Sequence, residues 1–161
     1  MIFVTVGTHE QQFNRLLRAV DELKSDGMLD ESVYMQTGYS TYMPKHCEHS
    51  EFLSFEEMRR LMSDADVVVT HGGPSSFIEA MAVGKVPVVV PRRGDLDEHV
   101  NDHQVDFVRV VDDRQGGIVP VYDVSNLLEA IERARRLSGR EEFKSHNATF
   151  CKELRRMIEG L

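Results

Sequence analysis

Residues 70–91 read THGGPSSFIEAMAVGKVPVVVP. Two apolar runs, DVVVT at 66–70 and VPVVV at 86–90, bracket a small polar loop and a helical run holding one acid, Glu79. Continuous valine-rich runs of this length are strands buried on both faces, the mark of a parallel sheet covered by helices. Strand, loop, helix and strand therefore make one β-α-β unit. Its loop carries Gly72, Gly73, Ser75 and Ser76, residue types that let another group come close to the backbone.

The same alternation extends outward in both directions. Apolar runs at 2–6, 32–37, 51–55 and 117–121 read as further strands. Phe13, Leu16, Leu17, Val20 and Leu23 recur at helical spacing after the first strand. Ser54 and Glu57 form a capping-box pattern, opening a helix with Met58, Leu61, Met62 and Ala65 on one face. Two helical stretches close the chain, at 124–137 and 142–159. Segment 38–50 has no helical period and reads as a long loop. The expectation is a single α/β domain over 1–161, with a Rossmann-like doubly wound parallel sheet of about six strands in the order 3-2-1-4-5-6.

Composition bounds the function. The chain has 161 residues, 41% hydrophobic and 29% charged, within the globular range. Its net charge of -8 provides no basic surplus for phosphate backbones, which argues against a nucleic-acid binder. Cys47 and Cys151 lack any CxxC spacing and read as free thiols in a reducing compartment. The opening run MIFVTV is too short for a signal peptide, and no stretch approaches the roughly 20 apolar residues of a membrane span. A cytoplasmic location is expected.

In the 3-2-1-4-5-6 order the chain reverses between strands one and four, and a ligand crevice opens at their carboxyl ends. VGTHEQ and THGGPSS flank that crevice. Amides at the helix start near Ser75 and Ser76 suit a phosphate, with Gly72 and Gly73 giving access and Gly7 and Thr8 the opposing wall. The same glycines also fit a plain tight turn. VGTHEQ is not GxGxxG, and no Walker A sequence occurs, which disfavours dehydrogenases and P-loop kinases. Glu79 has two readings, a capping-box partner of Ser76 or an acceptor for ribose hydroxyls. His99 and His103 stand at i, i+4, a zinc-compatible spacing without a third ligand. Arg92 and Arg93, after the fifth strand, either meet a diphosphate or an acidic sugar or remain solvated.

Taken together, residues 51–104, EFLSFEEMRRLMSDADVVVTHGGPSSFIEAMAVGKVPVVVPRRGDLDEHVNDHQ, resemble the donor-binding C-terminal half of the MurG-like (family 28) GT-B glycosyltransferases. The opening VTVGTHEQQFNRL is similar to a narrower group of short catalytic subunits. These serve two-subunit glycosyltransferases of bacterial exopolysaccharide and capsule synthesis and resemble the catalytic subunit of the eukaryotic dolichol-linked UDP-GlcNAc transferase. The resemblance implies a UDP-sugar donor. Gly7, Thr8, His71 and the amides of Gly72, Gly73, Ser75 and Ser76 would hold the diphosphate, together with Arg92. Glu79 would take the ribose hydroxyls, Phe55 would cover the uracil, and His103 and Gln104 would reach the sugar. The first loop departs from the glycine-rich loop of MurG, which leaves the fit of His9 and Glu10 open.

The resemblance further implies catalysis without a cofactor or bound metal, the UDP leaving group being stabilised by helix-start amides and basic side chains. The general base would sit on a partner, with His9 a candidate on this chain. A chain of this length is expected to lack the acceptor half. A membrane-anchored subunit would then hold a lipid-linked sugar acceptor and keep this protein at the inner face of the membrane. The 142–159 helix is the candidate docking element, and homo-oligomers are compatible with it. Two rivals share the sequence features: a non-catalytic UDP-sugar sensor or activator subunit, and a UDP-GlcNAc 2-epimerase-like enzyme.

Overall fold

The computed structural model describes residues 1–138, together with Thr149, Lys152, Glu153 and Arg156. The expected closing helix at 142–159, and the docking role given to it, fall outside the described residues apart from those four positions. Six parallel strands form the sheet: β1 (Ile2–Thr5), β2 (Val33–Gln36), β3 (Glu48–Ser50), β4 (Val67–His71), β5 (Val88–Val90) and β6 (Val119–Pro120). Their order is β3-β2-β1-β4-β5-β6, as the sequence predicts. The helices are α1 (Asn14–Ser25), α2 (Phe55–Asp64), α3 (Pro74–Ala82), α4 (His103–Gln115) and α5 (Leu127–Ser138).

The period-2 geometry of a strand explains the unbroken apolar runs. Ile2, Val4, Val67, Val69, Val88 and Val90 face one layer, where they meet Leu16, Leu17 and Val20 of α1 and Leu127 and Ile131 of α5. Phe3 and Val68 face the other layer, with Met62 of α2 and Ala80 of α3. On that same side Val89 meets Phe77 and Met81 of α3 and Val108 and Val111 of α4. Each such buried side chain contributes roughly 1.5–3 kcal/mol.

The structure corrects two element assignments. The third strand is Glu48–Ser50, not 51–55. Tyr34, Met35 and Gln36 pair with these three residues, and they are polar because β3 lies at the sheet edge. The 51–55 run instead leaves the sheet. Ser54 caps α2 with a complete capping box to Glu57, so the helix starts at Phe55. The second correction is α4, which the sequence did not disclose. Val105, Phe107, Val108, Val110 and Val111 spread around that helix among Asp106, Arg109, Asp112 and Asp113, which blurs the 3.6-residue stripe.

Polar clamps on α1 shape segment 38–47. The buried Asp21 carboxylate accepts from the Tyr42 hydroxyl at 2.8 Å and from the N–H groups of Lys45 and His46 at 2.9 and 2.8 Å. Burial by itself raises the Asp21 pKa, but these donors outweigh it and hold the carboxyl below its ordinary value. Asn14 Oδ1 accepts from the N–H groups of Thr41 and Tyr42. The segment is thus tied to α1 by donors and acceptors within the fold.

Candidate functional site

The crevice opens where β1 and β4 lie side by side and their loops diverge, at the carboxyl edge of the sheet. Its floor is built from buried polar groups. Gln36 ends β2, and its Oε1 accepts from Thr5 Oγ1 at 2.7 Å and Gly7 N–H at 3.1 Å. Its Nε2 donates to the carbonyls of Gly7 and Glu51 at 3.0 and 2.9 Å. One amide therefore fixes the loops that follow β1 and β3. Sequence reasoning missed Gln36, although a glutamine ending an apolar strand signals a buried group in need of partners.

Arg92 is fully buried. Its guanidinium donates to the carbonyls of Val6, Gln11, Gln12 and Glu98 at 2.8 to 3.0 Å and lies 4.8 Å from the Phe13 ring centroid. It is a structural strut joining the first loop to the end of β5, so its expected contact with a diphosphate is not available. Arg15 makes a bidentate pair with the buried Glu98 at 2.8 and 2.9 Å, and Arg93 pairs with Asp95.

His71, the last residue of β4, occupies the space between the two crevice loops. A Cβ at Gly7 would lie 2.4 Å from its Nε2, and one at Gly73 would lie 2.2 Å from its Cε1. Gly7 also takes φ of +74°, a conformation that favours glycine. A Cβ at Gly72 would come within 3.0 Å of Gln104 Cβ. The glycines that read as an opening for a ligand thus make room first for a histidine and a glutamine.

Burial, and then the nearby Arg92 charge, push the His71 pKa down to about 3. The ring is neutral at ordinary pH. Its Nδ1 accepts from Gly73 N–H at 3.0 Å, which places the proton on Nε2, 3.0 Å from Ser76 Oγ. Ser76 accepts there and keeps its own hydrogen to donate. The expected Ser76–Glu79 capping box does not form, because α3 begins at Pro74 with Gly73 as its N-cap. Gln104 Oε1 accepts from the N–H groups of Gly72 and Arg92 at 3.0 and 3.1 Å, latching the β4–α3 loop to β5.

Two cavities flank this centre. One, of about 450 Å³, is lined by Gly7, Thr8, His9, Gln36, Phe52, Leu53, Met58, His71, Ser75, Ser76 and Gln104. Its lining is polar at the ends of β1, β2 and β4 and the start of α3, and apolar at Phe52, Leu53 and Met58. The second, of about 620 Å³, is bounded by Gly72, Gly73, Pro74, His99, His103, Gln104, Asp106, Phe107 and Val110. Gln104 is common to both.

The expected residues therefore gather in part. Gly7, Thr8, His71, Ser75 and Ser76 border the first cavity, and Gly72, Gly73 and His103 the second. Phe55 is 67% exposed at the start of α2 and borders neither, the apolar wall coming from Phe52, Leu53 and Met58 instead. The capping box at Ser54 explains this shift, because it turns the chain outward just before Phe55. Glu79 lies one turn further along α3, half-buried, and borders neither cavity. Its carboxylate has no hydrogen-bond or ion-pair partner among the described residues.

His9 Nδ1 accepts from Gln11 N–H at 3.2 Å, so the neutral ring carries its proton on Nε2 and presents a donor. In this tautomer Nε2 is a donor, and the general-base role suggested for His9 requires it as an acceptor. Burial first, then His99 and Arg92, lower the His9 pKa. His99 precedes α4 rather than lying on it, so the His99–His103 spacing does not set both rings on one helix face. Among the described residues no three His, Cys, Asp or Glu side chains are grouped to hold a metal ion. No described helix is long and apolar enough to cross a membrane.

Comparisons with known proteins place this architecture. A UDP-N-acetylglucosamine--N-acetylmuramyl-(pentapeptide) pyrophosphoryl-undecaprenol N-acetylglucosamine transferase from Granulibacter bethesdensis is 33% identical over 63 residues, which are 39% of this chain and 15% of that protein. Among solved structures, the glycosyltransferase SnogD from Streptomyces nogalater superposes on 94% of this chain and 39% of its own, with a TM-score of 0.62 and 19% identity. The kitacinnamycin glycosyltransferase gives a TM-score of 0.62 at 18% identity, over 96% of this chain and 39% of its own. MurG of Acinetobacter baumannii gives 0.51 at 17% identity, over 98% of this chain and 49% of its own. The chain therefore spans less than half the length of each of these proteins, and the superpositions establish its fold. The glycosyltransferase family 28 C-terminal domain matches residues 1–159, and the chain belongs to that family.

Proposed function

We propose that the crevice binds a UDP-sugar and that this chain is the donor-binding, catalytic part of a glycosyltransferase. The observation that carries the reading is the cavity at the β1/β4 switch point, lined by both polar and apolar groups. The hydroxyls of Thr8, Ser75 and Ser76 at the start of α3 are donors suited to a diphosphate, and Phe52, Leu53 and Met58 an apolar wall suited to a base. Glu79, half-buried one turn along α3 and without a partner among the described residues, is the carboxylate for the ribose hydroxyls, the ribose then reaching past the cavity lining toward α3. His103 and the neighbouring cavity take the sugar.

In this reading a hexose moves to a lipid-diphosphate-linked acceptor in exopolysaccharide or capsule synthesis. The acceptor and the general base come from outside these 161 residues, on a membrane-anchored partner. The bond from the anomeric carbon to the diphosphate breaks as the acceptor hydroxyl attacks. The Ser76 hydroxyl, held as a donor by neutral His71, and the N–H of Ser75, the first of α3 because Pro74 has none, meet the charge that develops on the departing UDP; the N–H groups of Gly72, Gly73 and Ser76 are already given to Gln104, His71 and the Gly73 carbonyl. The reaction needs no metal.

The test has two parts. Calorimetric titration with UDP is expected to show binding that EDTA does not change. With the membrane-anchored subunit co-expressed, transfer from a labelled UDP-sugar to a lipid diphosphate is expected. Absence of UDP binding overturns the reading. Binding without transfer turns it into a sensor subunit, and interconversion of the sugar into an epimerase.

A further inference from the structure

Among the described residues, the lining of the two cavities contains no arginine or lysine. The nearby arginines are committed: Arg92 to four carbonyls, Arg15 to Glu98, Arg93 to Asp95. A bound diphosphate brings at least two negative charges, while a helix start offers roughly half a positive charge. The lining side chains able to become cationic are His9, His71, His99 and His103. His71 is excluded, since it is sealed between Gly7 and Gly73 with Nδ1 already accepting a hydrogen bond from Gly73 N–H.

His9 and His99 stack with ring centroids 4.5 Å apart and planes inclined at 38°. His9 borders the cavity with the hydroxyl donors and His99 the adjoining one, so the pair straddles the junction where a phosphate–sugar bond would cross. The rings differ in wiring. Asn101 Oδ1 accepts the backbone N–H of His103 at 3.1 Å, which fixes that atom as the oxygen. His99 Nδ1 lies 3.1 Å from the same oxygen; this shorter contact makes it a donor, and a protonated Nδ1 then no longer accepts from Asn101 N–H at 3.4 Å. In the neutral ring, His99 Nε2 is thus left as an open acceptor. The wiring of His9 is the reverse, with Nδ1 accepting and Nε2–H donating.

We propose that His99 is the cation of the donor site, taking up one proton when the diphosphate binds, with the neutral His9 ring stacked on it as a fixed N–H donor. The inference rests on the UDP-sugar reading. The groups facing the pair are Glu10 on the first loop, His71 at the end of β4, Arg92 at the end of β5, and His103 and Asp106 on α4. The Arg15–Glu98 pair lies beside it in the chain. Glu98 is neutralised by Arg15, and Arg92 opposes a second cation, so an approaching anion decides whether the proton stays. Asn101 Oδ1 holds the back of the imidazolium, as a carbonyl oxygen holds a catalytic histidine.

The sign follows from linkage. A proton held in the complex and absent from the free protein makes affinity fall as pH rises, by up to tenfold per pH unit. The experiment uses the full chain and UDP as probe. Imidazole nitrogen NMR is recorded with and without saturating UDP at pH 7, and UDP affinity is measured by calorimetry between pH 6 and 8. Expected are a change of the His99 signals from the neutral to the cationic pattern, and an affinity that falls with pH in the wild type. In His99→Phe, which keeps an aromatic ring for the stack, UDP binds more weakly and the pH-dependent part assigned to the protein is lost. His103→Asn retains it. A His99 ring that stays neutral while UDP binds, or an unchanged pH profile in His99→Phe, overturns this inference alone. Failure of UDP to bind at any pH overturns the donor-site reading on which it stands.

Discussion

Replacing Gly73 with alanine tests why the crevice loop is glycine. Gly73 has φ of -72° and ψ of 128°, which any residue adopts, so backbone strain plays no part. The added Cβ would stand 2.2 Å from Cε1 and 2.8 Å from Nδ1 of His71. The ring has no escape toward the first loop, where Gly7 already abuts its Nε2 side. Accommodating the methyl group forces a buried side chain out of place, at about 1–3 kcal/mol. It also breaks the Gly73 N–H to Nδ1 and Nε2 to Ser76 bonds, each worth about 0.5–1.5 kcal/mol. A total loss of about 2–6 kcal/mol is expected. With a urea m-value of about 2 kcal/mol/M, the unfolding midpoint falls by roughly 1–3 M at unchanged m. A double-mutant cycle isolates the cause. In a His71→Ala background, Gly73→Ala is expected to cost less than about 0.5 kcal/mol, because the obstructing ring is gone. Equal costs in both backgrounds, or a negligible cost in the wild type, would refute the argument and return the glycine to ligand access alone.

Glu79→Gln is expected to weaken UDP binding by roughly 1–3 kcal/mol, with circular dichroism and urea unfolding unchanged; unaltered calorimetric affinity would remove Glu79 from the ribose site. Arg92→Met strands four carbonyls, those of Val6 and Glu98 buried and those of Gln11 and Gln12 partly so, and its Tm in scanning calorimetry should fall by roughly 6–12 °C, a loss of about 3 kcal/mol. Asp21→Asn removes a carboxylate whose pKa is held below the ordinary 3.8 in the folded state. Its stability contribution is present above that ordinary value and is lost as pH falls through the lower folded-state pKa. Urea unfolding should therefore show a wild-type advantage at pH 7 that closes below pH 3.8.

Much of the fold was legible in the residues themselves. DVVVT and VPVVV could be read as strands buried on both sides because apolar content and period are local properties, carried by consecutive residues. The start of α2 was equally local, since Ser54 and Glu57 satisfy each other within a single turn. The alternation of such segments then sufficed for the sheet order and for the crevice between the first and fourth strands. Local pattern failed where it competed with pairing. The 51–55 run looks more strand-like than the polar Glu48–Ser50, yet the edge position opposite Tyr34–Gln36 went to the latter.

The site was legible as a set of loops and not as a set of contacts. Nothing near Arg92 announces that carbonyls of Val6, Gln11 and Gln12 will enclose its guanidinium. Nothing near Gly7 announces that His71 will lie against it. The stack of His9 on His99 likewise joins segments 90 positions apart that share no sequence signal. A polar group withdrawn from water must find partners, and which partners it finds depends on the chain segments that packing brings together. Sequence thus determined the sheet, its order and the place of the crevice. Tertiary structure alone decided which of the crevice residues serve the fold and which stay open to a ligand, because hydrogen-bond partners, unlike apolar period, are chosen across the whole chain.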